Sequence, residues 1–384
     1  MTPSRNYLSL FALLALSLGV IACVVTGGAV PTTTSLPPSP TQAPSPLPTQ
    51  TATTPPPTAT PLPPIIGEAN IFDLAAVHTL TGHGNSVKAL AFSPDGKTLA
   101  VSTGGSSNRQ EHRLRLWDVS TGDLIAISEE FDTIAWDVVF SPDGEMIATS
   151  LRDGRIVFLD PTDLSTIGGL LHNGEVNSLA FSPDGGLLAA GVAEAGNGMV
   201  YIWDAAKQTI IRSFWAHPYS VPSMDFSPTG QFLATGAVDR SVKVWQVSNG
   251  RLLKTLAQDG QGTSVIFSKD GSLLASAMCA LSDANLKCLR GEVWLWNVPD
   301  WGLIRTLSGP VDWVEAVALS PETALVAGGS RDFGVYLWRL RDAVLLRTLV
   351  GHTEGVTAIA FSPDGRTLAT GSTDENVILW AVEP

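Results

Sequence analysis

The sequence lacks the ligand clusters of a metal centre. It contains only three cysteines, Cys23, Cys279 and Cys288. The last two have no further cysteine and no histidine near them, and two thiols do not supply the four ligands of a structural zinc site. We therefore predict no metal site, and no motif calls for another cofactor.

Clusters of basic residues are also missing. All 36 acidic residues and 22 of the 23 lysines and arginines follow residue 67, so this part of the chain has a net charge of about −14. Nucleic-acid binding depends on clustered Lys and Arg side chains that displace counterions from phosphates. The composition therefore disfavours nucleic acid as a partner, and it disfavours direct adhesion to anionic lipid for the same reason.

Charge is almost absent from the first 67 residues, where Arg5 is the only charged side chain. An apolar run over residues 8–22 follows Arg5, which is typical of a signal peptide over residues 1–22. The run ends Val20-Ile21-Ala22-Cys23 and resembles the signal of bacterial lipoproteins, in which the cysteine is diacylated and becomes the new N-terminus. This resemblance implies lipidation of Cys23 and an extracytoplasmic protein anchored to the bacterial cell membrane. The alternative is an uncleaved signal anchor in which Cys23 is an ordinary thiol.

Residues 23–69 are predicted to form a disordered linker behind the lipidated cysteine. Within it, residues 31–64 contain 13 of the 26 prolines, 10 threonines and no charge. Such a segment cannot build a core and favours an extended, polyproline-like spacer. At about 3.1 Å per residue, it holds the following domain up to roughly 100 Å from the anchor.

The rest of the chain repeats one phrase. SPDG or a weaker form of it occurs at 93–96, 141–144, 182–185, 227–230, 268–271, 320–323 and 362–365. About 24 residues after the serine, a tryptophan ends a strand-like run in six copies, and Leu159 takes its place in the second copy. A fixed period near 42 residues indicates one supersecondary unit that is stacked seven times.

The seventh copy shows what one unit forms. Apolar residues over 356–361, 367–372 and 377–382 predict three strands, and Pro363-Asp364-Gly365 makes the first turn because proline presets φ and glycine takes a positive φ. In other copies a fourth strand follows, for example over 345–349. Each unit is then a four-stranded antiparallel sheet with two apolar faces, which must be buried by stacking on neighbouring units.

These residues resemble the WD-repeat (WD40) β-propeller family over residues 70–384. The resemblance implies an all-β, seven-bladed propeller of four-stranded antiparallel blades. The segment 71–80 reads like a fourth strand, whereas the seventh copy ends after its third. We therefore expect this N-terminal strand to pair with the C-terminal blade and close the ring, which removes two open sheet edges.

The resemblance also implies a hydrogen-bonded set of His, Asp, Ser or Thr, and Trp that supports each blade. The fourth copy matches it with His217, Asp239, Thr235 and Trp245, and the seventh matches it with His352, Asp374, Trp380 and either Thr370 or Ser372. The other copies keep only some members of the set, which are His83, Trp117, Asp153, His172, Trp203, Trp296, Asp332 and Trp338.

The two remaining cysteines lie in the long insertion of the fifth copy. Cys279 and Cys288 flank a polar loop between the predicted second and third strands. Outside the cell, such a pair is expected to form a disulfide that clips the hairpin. The alternative is two free thiols.

We identify no catalytic residue. Four of the six histidines occupy the repeat's structural position, and neither His78 nor His112 has an evident Ser or Cys partner. Glu129 and Glu130 are adjacent acids, which we interpret as a solvated loop rather than a general acid and base.

Candidate binding residues follow from geometry that the family resemblance implies. One face of a propeller carries the loops between blades and the turns between second and third strands, and this face commonly contacts partners. Alignment on SPDG places several residues at or beside the start of a first strand, and it places Arg152 and Arg331 just before the turn Asp. The residues near the first-strand start are Lys88, Ile134, Trp136, Asn177, Tyr219, Trp313 and Glu315. Trp and Arg are enriched in binding hot spots, although Trp313 also fits a purely structural packing role.

Two functions remain open from the sequence. The first is a monomeric, non-catalytic scaffold or recognition module that binds a protein or peptide and contacts the membrane only through its N-terminal lipid or signal anchor. The second is a propeller enzyme, or a carbohydrate- or small-ligand-binding protein, that uses the central channel. Few titratable groups are expected around the channel, which favours the first function.

Overall fold

The computed structural model describes residues 62–105, 111–285, 287–321 and 325–383. The predicted signal peptide, Cys23 and most of the predicted linker lie outside the described residues. In the described part of the chain, every regular element is a β-strand, and the 28 strands form seven four-stranded antiparallel sheets. The predicted seven-bladed, all-β propeller is confirmed.

In each of the first three blades, the four strands follow one another across the sheet in the order in which they occur in the sequence. Their strands are β2 (Val87–Phe92), β3 (Thr98–Thr103), β4 (Leu114–Asp118) and β5 (Leu124–Ile127) in blade 1; β6 (Ala135–Phe140), β7 (Ile147–Leu151), β8 (Arg155–Leu159) and β9 (Thr166–Leu171) in blade 2; and β10 (Glu175–Phe181), β11 (Leu187–Glu194), β12 (Asn197–Asp204) and β13 (Thr209–Pro218) in blade 3.

The next three blades have the same order. Their strands are β14 (Ser223–Phe226), β15 (Phe232–Ala237), β16 (Ser241–Gln246) and β17 (Arg251–Ala257) in blade 4; β18 (Gln261–Phe267), β19 (Leu273–Ser282), β20 (Cys288–Asn297) and β21 (Leu303–Ser308) in blade 5; and β22 (Val314–Leu319), β23 (Leu325–Ser330), β24 (Val335–Arg339) and β25 (Leu345–Leu349) in blade 6.

Blade 7 joins the two ends of the described chain. It contains β26 (Val356–Phe361), β27 (Thr367–Ser372), β28 (Val377–Val382) and, as its outer strand, β1 (Leu74–Leu80). Strand β1 is antiparallel to β28, with Leu74 opposite Val382. This confirms the predicted closure, although the strand starts three residues later than predicted.

The segment that leads into β1 is packed against the SPDG-turn end of the ring. Ile66 and Ile71 are buried in the core between blades 6 and 7. The Ile66 N–H donates to the Gly365 carbonyl at 2.9 Å, and Glu68 pairs with Arg339 at 3.0 Å. The packed part of the chain therefore includes residues before position 70, where we had placed the start of the propeller.

The SPDG phrase builds the same turn in each intact copy. In the first, the Ser93 hydroxyl donates to the Asp95 carboxylate at 2.7 Å, and that carboxylate accepts the Lys97 N–H at 3.1 Å. Gly96 adopts a φ of 72°, which glycine reaches without steric cost. These aspartates therefore serve the turns, as the sequence predicts.

The core is divided among the junctions between blades. Seven clusters of buried apolar side chains are present, one at each of the seven blade junctions. At the junction that closes the ring, a Cβ on Gly371 of β27 would lie 2.4 Å from a methyl carbon of Val87. The absence of a side chain there allows blades 7 and 1 to approach.

Side-chain hydrogen bonds also connect the innermost strands of neighbouring blades. The Asp137 carboxylate accepts the Leu179 N–H at 2.8 Å across the junction of blades 2 and 3. Across the junction of blades 4 and 5, the Asp225 carboxylate accepts the Phe267 N–H at 2.7 Å. These bonds satisfy inner-strand amides that face a neighbouring blade rather than a ladder partner.

The fifth blade carries the predicted disulfide. Cys279 and Cys288 are bonded, with their Cα atoms 5.8 Å apart. Strands β19 and β20 are each ten residues long, so the insertion extends this hairpin beyond those of the other blades.

Two blades contain the complete hydrogen-bonded set. In blade 4, His217 Nδ1 lies 3.0 Å from the Asp239 carboxylate, His217 Nε2 lies 2.8 Å from the Thr235 hydroxyl, and the Trp245 indole donates to that hydroxyl at 2.9 Å. The Asp239 carboxylate can only accept a hydrogen bond, so Nδ1 of His217 carries a proton and donates it to this bond. Blade 7 repeats the set with His352, Asp374, Trp380 and, of the two predicted candidates, Thr370.

The first and third copies, which keep only some members of the set, do not form its central hydrogen bonds. Among the described residues, His83 Nε2 and Trp117 Nε1 have no hydrogen-bond partner in blade 1, and the same atoms of His172 and Trp203 have none in blade 3. The cause is the residue eight positions after the SPDG serine, which is Thr235 in blade 4 but Val101 in blade 1 and Ala190 in blade 3. Neither replacement has a hydroxyl to join the ring nitrogens.

The remaining copies use other partners. In blade 5, the Trp296 indole and the Gln258 amide both donate to the Ser276 hydroxyl, so Gln258 takes the place of the histidine. In blade 6, the Trp338 indole donates to the Ser308 carbonyl, and Asp332 accepts the Val311 N–H. In blade 2, Asp153 pairs with Arg155 at 2.7 Å.

In the part of the chain that the structure describes, no helix has the length and hydrophobicity needed to cross a membrane.

Restoring the missing hydroxyl in blade 1 is expected to stabilise the protein. Val101→Thr changes the side-chain volume little and gives His83 Nε2 and Trp117 Nε1 a common partner. We expect the free energy of unfolding to rise by about 1 kcal/mol in denaturant titrations. As a control, Val244→Thr buries a hydroxyl in blade 4, where the set is already complete, and should cost about 1–3 kcal/mol. A loss of stability of similar size in both variants would contradict the explanation.

Candidate binding site at the channel mouth

A repeated irregularity of the innermost strands positions the candidate site. In blades 1, 2, 3, 5, 6 and 7, the pairing of the first and second strands shifts register five residues before the SPDG-type serine. The residues at these shifts are Lys88, Trp136, Asn177, Thr263, Glu315 and Thr357. A β-bulge leaves one residue outside the ladder and redirects its side chain. Here it directs the side chains of Lys88, Trp136, Asn177, Glu315 and Thr357 to the central channel.

Five of these bulge residues line one cavity of about 820 Å³, namely Lys88, Trp136, Asn177, Glu315 and Thr357. Pro222 of blade 4, at the corresponding position, also lines it. The rim includes Arg331 and Phe333 from the turn between β23 and β24 and Asp312 from the loop before β22. We call this cavity the channel mouth, and the end of the ring that carries it the top face. The SPDG turns form the opposite, bottom face.

The charges of the channel mouth are unevenly distributed. Arg331 forms an ion pair with Glu315, and its guanidinium lies 5.1 Å from the centre of the Trp313 ring. On the other side, Lys88 Nζ lies 5.4 Å from the centre of the Trp136 ring. Burial lowers the pKa of Lys88, and the nearby Glu315 opposes this shift. Blade 6 therefore carries a neutralised pair, whereas blades 1 to 3 present a single cation.

Two polar atoms of the channel mouth are unsatisfied. Among the described residues, neither Trp136 Nε1 nor Asn177 Oδ1 has a hydrogen-bond partner, and both atoms are shielded from solvent. Buried donors and acceptors are nearly always paired in folded proteins. These two atoms therefore mark blades 2 and 3 as a place where a ligand can complete the hydrogen bonding.

The structure brings together five of the nine residues that we proposed for the binding face: Lys88, Trp136, Asn177, Glu315 and Arg331. The other four, one of which is Ile134, do not line the channel mouth. Arg152 pairs with Glu175 at 3.0 Å, and Tyr219 is 67% exposed on a loop with a φ of 75°. Trp313 lines a separate cavity of about 210 Å³ beside the disulfide hairpin.

Phe333 lines the channel mouth but was not among the predicted residues. This side chain is 48% exposed at the rim, and its φ is 77°. The positive φ belongs to the repeated turn, because Arg240 and Glu375 follow the turn Asp in their blades and also have a positive φ. The available signal was the exposed aromatic residue at a turn position that Gly154 occupies in blade 2.

The channel below the mouth has a volume of about 500 Å³, and besides Glu315 its wall carries two further carboxylates, Asp137 and Asp225. Burial raises the pKa of Asp137 to about 6 and that of Asp225 to about 7, although backbone N–H groups donate to both. Both carboxylates already accept inter-blade hydrogen bonds, which assigns them a structural part.

The side chains of the site include a cation, an indole, a carboxamide and an ion pair, all of which can bind a ligand. All six histidines are described, and none of them lines the channel or its mouth. In the described ranges, no group of three or more His, Cys, Asp or Glu side chains is arranged to hold a metal ion. Glu130 pairs with Arg113 at 2.9 Å, consistent with our interpretation of the two adjacent glutamates as a solvated loop.

Comparison with protein-family models finds one family along the chain. The model for "WD domain, G-beta repeat" matches residues 75–118, 128–160, 166–204, 208–246, 301–339 and 343–381. These segments cover more than half of the chain. The unmatched stretch between residues 246 and 301 contains most of blade 5 and its disulfide hairpin.

Similar curated proteins carry names from several eukaryotic processes. The chain is 31% identical to WD repeat-containing protein SL1-17 of Schistosoma mansoni over 181 residues, which cover 47% of this chain and 57% of that protein. It is 30% identical to Pre-mRNA-processing factor 19 of Oryza sativa subsp. japonica over 241 residues, 60% of this chain and 42% of that protein. It is 24% identical to Nuclear distribution protein nudF of Aspergillus niger over 256 residues, 65% and 48% of the two chains. The chain therefore spans about half the length of these relatives.

The raised pKa of Asp225 predicts how its substitution depends on pH. In the unfolded chain this carboxyl ionises near pH 3.8, but in the folded protein burial raises its pKa to about 7. Its ionisation therefore destabilises the fold progressively as the pH rises from 4 to 7. Asp225→Asn removes this effect and keeps an oxygen for the Phe267 N–H. We expect the variant to be more stable than the parent by about 1–2 kcal/mol at pH 8, with the difference shrinking towards pH 4.

Thermal unfolding between pH 4 and pH 8 measures this effect. Asp95 provides the control, because the Ser93 hydroxyl and neighbouring N–H groups lower its pKa to about 2. Asp95→Asn should therefore destabilise the protein at neutral pH. The stability gain of Asp225→Asn over the parent should be larger at pH 8 than at pH 5. A gain that is smaller at pH 8 would contradict the assignment.

Proposed function

Since this chain belongs to the WD40 family of WD-domain, G-beta-repeat proteins, we propose that it is a non-catalytic recognition module that binds a protein or peptide through its top face. The channel mouth carries this proposal. Six blades contribute side chains to it, and these side chains differ in charge, size and polarity. A rigid surface that carries side chains of different charge and size can recognise a partner with a complementary surface.

We further propose that the module is held at the outer surface of a bacterial membrane by a lipid on Cys23. The sequence Val20-Ile21-Ala22-Cys23 and the preceding apolar run support this anchor. Residues 63–68 are fixed at the bottom face, where the Ile66 N–H meets the Gly365 carbonyl and Arg366 binds the Pro63 carbonyl. The chain therefore enters the propeller at the bottom face, opposite the channel mouth.

The alternative is a small-ligand or carbohydrate-binding protein that uses the channel itself. The unsatisfied atoms of Trp136 and Asn177 favour it, because a small polar molecule also satisfies them. An enzymatic version requires titratable groups that converge on a substrate. The two channel carboxylates are instead engaged with the Leu179 and Phe267 amides.

Partner capture from intact cells tests the proposed face. We expect Trp136→Ala combined with Arg331→Ala to reduce the yield of crosslinked partners about tenfold or more, since large aromatic and Arg side chains dominate binding energy. The matched control is Lys97→Ala combined with Lys207→Ala, two exposed lysines on the bottom face, which should leave the yield unchanged. Equal partner yields from both double variants would reject the top face as the binding surface.

The mature N-terminus tests the anchor. We expect the purified protein to begin at Cys23, with a mass increased by diacylation, and to partition with membranes. Cys23→Ser should retain the signal segment and lose the lipid mass. An unlipidated chain that starts at Met1 in the parent protein would rule out the lipoprotein proposal without affecting the binding face.

A further inference from the structure

Three neighbouring bulge residues form a chemically distinct part of the channel mouth. Lys88, Trp136 and Asn177 occupy the same position in blades 1, 2 and 3, so they lie side by side along the wall. Together they present an ammonium group, an indole N–H donor and a carboxamide oxygen acceptor. We call these three residues the polar triplet.

The cation of the polar triplet has no close counterion. Among the described residues, Lys88 forms no ion pair within 4 Å, and Glu315, the acid that influences it, is paired with Arg331. Asp312, the other acid of the rim, accepts the Trp313 N–H at 2.7 Å on the blade 6 side. An anion that enters the mouth is therefore attracted to the side of blades 1 to 3.

The two unsatisfied atoms indicate which polar groups the anionic ligand must carry. Trp136 Nε1 requires an acceptor, which a carboxylate shared with Lys88 provides, and Asn177 Oδ1 requires a donor. A simple carboxylate without hydroxyl or amino groups, such as glutarate, supplies only the acceptor. An acidic residue within a peptide supplies both, because its carboxylate and a backbone N–H are carried on the same unit.

Resting on the proposed recognition function, we propose that the polar triplet binds one acidic residue of a peptide partner, with Lys88 and Trp136 holding its carboxylate and Asn177 accepting a peptide N–H. Trp136 and Asn177 turn within the mouth to meet the ligand, since both atoms are shielded in the free protein. Pairing these buried groups recovers the free energy that their burial without partners costs.

Because the whole domain is acidic, the peptide partner should carry a single acidic residue rather than a run of them. The propeller carries a net charge of about −14, so a run of acidic residues is repelled before it reaches the mouth. A single carboxylate flanked by uncharged or basic residues meets less repulsion. This combination distinguishes the ligand from a polyacidic tail.

Selection from a displayed heptapeptide library against the full-length protein tests the proposal. We expect the enriched peptides to carry one Asp or Glu more often than the starting library. Synthetic copies of them should lose roughly 10- to 100-fold in affinity when that acid is replaced by its amide, as expected for a lost charge-assisted hydrogen bond. Lys88→Met should cause a similar loss in titration calorimetry, and Trp136→Phe, which keeps the ring, a smaller loss of roughly 3- to 10-fold.

Competition distinguishes the two sources of a carboxylate. N-acetylglutamate N-methylamide carries both a carboxylate and amide N–H groups and should displace the peptide more strongly than glutarate, which has no N–H. Stronger displacement by glutarate would overturn the peptide assignment. Lys97→Met, on the bottom face, is the matched control and should bind peptides as the parent does.

Other results would overturn the polar triplet while leaving the proposed function intact. These are a selection without enrichment of single acids, and peptide binding that Lys88→Met leaves unchanged. If partner capture still depends on Trp136 and Arg331 in either case, the top face binds partners by other contacts. If capture is also insensitive to those residues, the proposed function fails as well.

Discussion

The structure depends on one constraint, which is that each blade has two apolar faces and cannot bury either by itself. The middle strands of the blades are almost fully buried, for example β27 and β28. A linear stack would leave two faces open, so only a closed ring buries all of them. The pairing of β1 with β28 closes the ring, and the buried Ile66 and Ile71 extend that closure.

Because packing between blades provides most of the stability, a blade can lack members of its hydrogen-bonded set and still fold. Blade 2 has Leu159 where other blades have tryptophan, yet Leu159 is fully buried in the cluster between blades 1 and 2. Blade 5 replaces the histidine with Gln258 and keeps a donor to Ser276. In blades 1 and 3, the histidine Nε2 and tryptophan Nε1 atoms have no hydrogen-bond partner among the described residues. The incomplete sets are local defects in blades that their neighbours hold in place.

The fold could be predicted from the sequence because its signals are local and repeated. The serine, aspartate and glycine of SPDG make one turn by themselves, and β26, β27 and β28 have the predicted bounds. The candidate site could be predicted only in part. A bulge on an inner strand depends on register with the neighbouring strand, which no local pattern reports. Tyr219 and Trp313 were therefore proposed for the binding face although they do not line the channel mouth, while Phe333 and Thr357, which line it, were missed.

Because of this bulge, the residues that face the channel mouth are different from the residues that pack in the core. The residue before it is buried in the blade junction, as are Val87, Val176 and Val356, so its side chain is fixed by packing. The bulge residue itself leaves the ladder and faces the channel mouth. Its side chain is then free to be Lys88, Asn177 or Glu315 without cost to the core. A ring of nearly identical blades thus acquires a wall of unlike residues, and it is at these positions that partner specificity can change while the fold remains the same.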